Sequence, residues 1–203
     1  MRYMFDPLRR RSLLAGMAAL AAVFAAGCAS ELLAPANSES ALVIGRIEIN
    51  YGPKSGMAPF TDGVVKEGIL VELEMQGRRE LVSVTTDAEG YFFLPNLPRA
   101  TYDLRRVSSG SVTPYVRGGY SVSLQRYGID SGTLVFTPAP GKVGYAGGVV
   151  VDVDDRGFSS VREAPDEAAA RDYFFKNWGK SAWALREMIS LRPKPATRQN
   201  FHF

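Results

Sequence analysis

Cysteine and histidine are almost missing from this chain: Cys28 and His202 are single examples in 203 residues. One thiol cannot form an intramolecular disulfide, so an exported domain of this sequence must rely on its core. One histidine, second from the C-terminus, removes the Ser–His and Cys–His nucleophile pairs and most zinc sites. The paired carboxylates Glu72 and Glu74 remain as a catalytic candidate, but outward charges on a strand are ordinarily just solvated. Gly141, Gly144, Gly147 and Gly148 lack the spacing of a dinucleotide-binding loop. These absences favour a non-enzyme without a cofactor.

A long apolar run is also missing. The longest, Leu13–Ala26, falls short of the about 20 residues that span a bilayer. It follows Arg2 and Arg9-Arg10-Arg11, and it ends in small residues. A basic head, a short apolar body and a small-residue cut site make residues 1–27 a secretory signal peptide. Beyond them the charge balances at 20 basic and 20 acidic residues, so the formal net charge of +3 belongs to the leader. A nucleic-acid surface needs clustered excess Lys and Arg, and no nucleic-acid partner is expected.

Ala25-Ala26-Gly27-Cys28 resembles the lipobox of bacterial lipoproteins, with Ala25 where leucine is usual. The resemblance implies cleavage before Cys28, a thioether-linked diacylglycerol on its thiol and a further acyl chain on the new amino terminus. Cys28 would then be a lipid anchor, several chains holding where one is marginal. Ala29, rather than Asp, follows the cysteine, which by the same resemblance points to the outer membrane, facing the periplasm or the cell surface. Arg10–Gly16, "RRSLLAG", resembles a twin-arginine signal, but adjacent arginines also occur in ordinary signals, so the export route stays open. Residues 28–40 read as the lipidated cysteine and a flexible Ala/Ser/Pro tether.

From Ala41 the period becomes two. Val43, Gly45, Ile47 and Ile49 alternate with Arg46 and Glu48, and Ile69, Val71, Leu73 and Met75 with Glu72 and Glu74. Val82 and Val84, Tyr102 and Leu104, Tyr120 to Leu124, Leu134 and Phe136, and Val143 to Val153 continue the series, the last bent near Gly147-Gly148. Alternation in short runs separated by turn residues predicts a mainly β domain over 41–155, an antiparallel sandwich of seven or more strands. The loop from Tyr51 to Lys66 is long for a hairpin and is expected to be irregular and exposed.

After Gly157 the period changes again. Pro165 and Asp166-Glu167 open a helix carrying Ala170, Phe174 and Trp178 on one face. Gly179 ends it, and Ser181 caps a second helix with Leu185, Met188 and Ile189 inward. Residues 156–192 are thus expected to be a helical extension packed on the sandwich, and 193–203 a mobile tail. "DVDDRGFSSVRE", Asp152–Glu163, matches a calcium loop at Asp152, Asp154, Gly157 and Glu163, but Arg156 occupies a ligand place and a strand precedes it. It reads as an acidic turn, without a metal.

In "TTDAEGYFFLPNLPRATYDL", Thr85–Leu104, Asp87 caps a tight turn, Gly90 supplies a left-handed residue, and Tyr102 anchors a corner through its hydroxyl. Thr86-Asp87, Gly90, Phe92, Leu97, Tyr102 and Leu104 resemble the signature of carboxypeptidase regulatory-like domains. Gly45-Arg46-Ile47 and Val71-Glu72-Leu73 resemble their first strands. Arg99-Ala100 replaces the usual glycine before Thr-Tyr. The resemblance implies a transthyretin-like (prealbumin-like) sandwich and an accessory role without catalytic residues.

The expected function is a lipid-anchored envelope module that binds or scaffolds, its partners being the membrane through Cys28 and an envelope protein. Exposed aromatics in the Tyr51–Lys66 loop, or at Tyr115, Tyr120 and Tyr127, would mark that partner's surface. The alternatives are a small-molecule or carbohydrate carrier, which needs a concave pocket, and an accessory subunit of an envelope hydrolase.

Overall fold

The computed structural model describes residues 32–52, 63–78, 80–114, 120–154 and 159–191; of 111–114 and 120–124 only the backbone is described. A compact unit begins at Ala34. Among the described residues this unit is mainly β, a two-sheet sandwich with one α-helix.

The first sheet is built on two central strands, β1 (Leu42–Tyr51) and β9 (Val143–Val153), which run parallel. Each has two short strands along its outer side. β1 carries β5 (Tyr91–Pro95) and β2 (Val64–Val65), both antiparallel to it. β9 carries β10 (Ser159–Glu163), antiparallel, and β11 (Met188–Ser190), parallel. The β1–β9 register shifts between Ile44 and Gly45, where Ala146 is the extra residue and Gly147 takes a φ of +118°. This bulge is the bend expected near the paired glycines. The sheet is therefore mixed rather than purely antiparallel.

The second sheet has the order β4 (Glu80–Thr85), β3 (Leu70–Met75), β6 (Tyr102–Pro114), β7 (Tyr120–Gly128), all antiparallel, with β8 (Val135–Phe136) beside the start of β6. Period two decides which residues face the other sheet. Val43, Ile47 and Ile49 from one sheet meet Val71, Leu73, Leu104 and Val107 from the other in a single buried cluster. Glu72 and Glu74 point outward and pair with Arg106 at 3.3 Å and Arg105 at 3.0 Å on β6. Gly45 has no side chain because Phe92 lies over it: a Cβ there would come within 2.2 Å of the Phe92 ring.

The outer face of the first sheet is covered by α1 (Glu167–Trp178). Asp166 is its N-cap, accepting from the Ala169 amide at 3.0 Å, so Pro165 lies just before the helix and not at its first position. Ala170 and Phe174 are fully buried, and Trp178 meets Phe93 of β5 edge-on at 5.9 Å. Burying the Phe174 side chain stabilises the fold by about 1.5–3 kcal/mol. The covering of the sandwich by the aromatic stripe is as the helical period predicts.

Three expectations for the segments flanking the sandwich need correction. The 156–192 extension is only partly helical: β10 and β11 at its two ends join the first sheet through β9. The second helix is a single 3-10 turn, Ala182–Leu185, which buries Trp183 and leaves Leu185 91% exposed, while Met188 is buried in β11. The 28–40 tether is not free along its length. Ala36 donates to Asn96 Oδ1 at 2.8 Å, Asn96 Nδ2 donates to the Ala34 carbonyl at 3.0 Å, and Ser40 is 9% exposed. The 193–203 tail lies outside the described residues.

Candidate functional surfaces

The stretch from Thr85 to Leu104 folds as a corner. Asp87 Oδ1 accepts from the amides of Glu89 at 3.0 Å and Tyr91 at 2.9 Å, closing the turn. Gly90 sits at φ +86° with its carbonyl accepting from the Ile47 amide, and a Cβ there would lie 2.7 Å from the Ile47 carbonyl oxygen. Thr86 Oγ1 accepts from the Ile69 amide at 2.9 Å and donates to the Lys66 carbonyl. Tyr102 donates its hydroxyl to the Pro98 carbonyl at 3.1 Å, the corner bond its position predicts.

The second oxygen of Asp87 does something the local pattern does not announce. It accepts the Tyr173 hydroxyl of α1 at 2.8 Å, and the Tyr173 ring stacks on Tyr91 at 4.3 Å. Arg46 lies over the Tyr91 ring, 5.4 Å from its centroid. Burial, then the bond to Asp87, pushes the Tyr173 phenol above its ordinary range. The turn is thus also the dock of the helix.

The sandwich has two distinct ends. At the chain-entry end, Ala34 to Leu42 meets the turn after β5 and the start of β9. Asn96 holds the entering chain from a left-handed conformation, φ +59°, which asparagine tolerates better than most residues. Arg186 donates to the carbonyls of Asn37, at 2.7 Å, and Ser40, and its guanidinium lies 4.8 Å from the Trp183 ring centroid. Neither residue is singled out by sequence periodicity. The Asn-Leu-Pro turn is the one available cue, and it does not say what Asn96 would bind.

At the opposite end, β1, β9 and β10 form a shallow open cleft of about 270 Å³ lined by Asn50, Gly52, Asp152, Asp154, Ser159 and Ser160 among others. Asp152 is held by Asn50 Nδ2 at 2.9 Å and Arg162 Nε at 2.8 Å. The calcium-like spacing does not assemble here. Ser160 pairs with Asp152 and Glu163 with Val149 across the β9–β10 hairpin. Three positions separate Asp152 from Val149, about 10 Å of strand, and an odd offset puts Glu163 on the other face of the sheet. Arg156 and Gly157 lie outside the described residues.

The aromatic surface expected around Tyr51 and Tyr127 is instead interior. Both are buried; Tyr127 donates to the Tyr51 hydroxyl at 3.0 Å, which lies 2.9 Å from Ser109 Oγ. Burial, then the Tyr51 bond, raises the Tyr127 phenol. Strand parity turns both rings inward, and their hydroxyls satisfy one another there. Phe60, Tyr115, Cys28 and His202 lie outside the described residues, and the Tyr120 side chain is not described. Glu72 and Glu74, each paired with an arginine, do not converge on a cleft. Among the described residues no group of three metal-ligating side chains forms, and no helix is long and apolar enough to cross a membrane.

No family model, curated protein or solved structure matches this chain.

Proposed function

We propose that this chain is an acylated envelope lipoprotein, anchored through Cys28, whose sandwich is a transthyretin-like, carboxypeptidase regulatory-like module that binds or scaffolds without catalysis. The observation that carries the reading is Ala25-Ala26-Gly27-Cys28 at the end of a basic, then apolar, leader. The folded unit starts at Ala34, six residues after the start of the acylated chain. The Asp87–Gly90 turn and the Tyr102–Pro98 bond support the fold-family resemblance. Acidic side chains neutralised by Arg105, Arg106 and Arg162 support a non-catalytic role. The site is the outer membrane, facing the periplasm or cell surface, with an envelope protein as partner. The second reading is a small-molecule or carbohydrate carrier, with the open cleft beside Asn50, Val153, Ser159 and Ser160 as its concave surface.

The test is the intact mass of the membrane-fraction protein from a bacterial host, full-length chain against Cys28→Ser. A gain matching diacylglycerol plus an acyl chain, lost in the serine form, is the expected result. A soluble, unmodified product cut near Ala29 would overturn the anchor and move the carrier reading ahead.

A further inference from the structure

We propose that the chain-entry end of the domain rests on an anionic bilayer surface, with Leu185 and Phe175 entering the headgroup layer and Arg99, Lys176 and Lys180 meeting lipid phosphates. The inference rests on the Cys28 anchor proposed above.

Six residues, Cys28–Leu33, precede the folded unit. Fully extended they span at most about 20 Å, so a lipidated Cys28 keeps Ala34 near the membrane. Asn96 and Arg186 then fasten Ala34–Ser40 to the domain, so the end that receives the chain is the end held closest.

From Tyr173 beside Tyr91 to Trp178 beside Phe93, α1 runs along β5 in the same direction, toward the chain entry. The 3-10 turn follows, and Arg186 at its close grips the entering chain. This segment carries Leu185, 91% exposed, and Phe175, 40% exposed. At 91% exposure the Leu185 side chain buries almost none of its surface in the domain.

Arg99, just past β5, and Lys176 and Lys180 are exposed and form no ion pair among the described residues. Lys142 is engaged by Glu187, and Glu39 at this end and Asp172, one helical turn before Lys176, are exposed acidic residues without an ion pair among the described residues. Apolar side chains beside unpaired cations match a surface of anionic headgroups over an acyl layer. The opposite end, with the cleft beside Asn50 and Asp152, is then turned away from the bilayer toward a partner.

The experiment places an environment-sensitive fluorophore (NBD) on Leu185→Cys in the full-length chain, where acylation consumes Cys28. The control position is Leu81→Cys on β4, also exposed but on the other sheet. Each protein is checked for its acyl mass and reconstituted into phosphatidylethanolamine vesicles containing phosphatidylglycerol as the minor lipid. At position 185 the label is expected to shift to the blue and to be quenched by shallow doxyl lipids at least about twofold more than at 81, as an interfacial depth of about 5–10 Å requires. Lys176→Glu with Lys180→Glu, or omission of phosphatidylglycerol, should reduce that quenching. Equal, water-like signals at 185 and 81 on protein that carries its acyl mass overturn the orientation and leave the anchor standing. Absence of the acyl mass overturns both. A blue shift at 185 in the soluble Cys28→Ser form that grows with protein concentration identifies a second copy as the occupant, and also overturns it.

Discussion

The Tyr173 hydroxyl and the Asp87 carboxylate, 86 residues apart, meet at 2.8 Å and join the helix to the β4–β5 turn. The same carboxylate closes that turn through two backbone amides, so one side chain serves local and tertiary structure together. Asp87→Ala should destabilise the domain by about 2–3 kcal/mol, since it strands two amides and a phenol. Tyr173→Phe should cost about 1 kcal/mol. Urea denaturation of both single variants and the double should show a coupling between them; additive losses would show that the contact contributes nothing of its own.

Alkaline pH should loosen the domain. The phenols of Tyr91, Tyr102, Tyr127 and Tyr173 all stand above the ordinary value of 10.0, with burial the first cause in each. The unfolded chain therefore releases these protons first. The stabilisation is complete below pH 10.0 and is lost as pH rises beyond it toward the folded values. The urea midpoint should stay level up to about pH 10 and fall above it. In Tyr173→Phe the fall should be shallower. An unchanged slope would exclude Tyr173 as a contributor.

Arg186→Ala should release the entering chain. The carbonyls of Asn37 and Ser40 lose their donor, and Trp183 loses the cation beside its ring. Hydrogen exchange should accelerate at the amides of Ala36, Ser40 and Gly141, by more than at the β3–β6 ladder. Uniform acceleration would mean that Arg186 acts on global stability instead.

Gly45→Ala should cost about 1–3 kcal/mol by overpacking against Phe92. The added carbon would sit 2.2 Å from Cζ of a fully buried ring. Combining it with Phe92→Leu should recover part of the loss. A combined variant weaker than the sum of the two would remove the steric explanation.

Much of this architecture was legible from residues close together in the chain. Alternation of Val71 and Leu73 with Glu72 and Glu74 determined which face of β3 is inside, because a strand exposes opposite faces at successive residues. Asp87 and Gly90 determined a turn, Tyr102 a corner, and Ala170, Phe174 and Trp178 the sheet-facing stripe of α1. The tertiary structure alone decided what these elements touch. β10 and β11 are too short and too weakly alternating to announce themselves; they are strands because β9 offers each an open edge of backbone groups. Tyr51 and Tyr127, candidates for surface aromatics by their place in the sequence, turn inward because two hydroxyls from different sheets satisfy each other there. The 34–40 stretch is fastened by Asn96 and Arg186, about 60 and 150 residues further on. Periodicity records the environment of a side chain one or two residues at a time, whereas a hydrogen bond between distant residues exists only once the sheets have met.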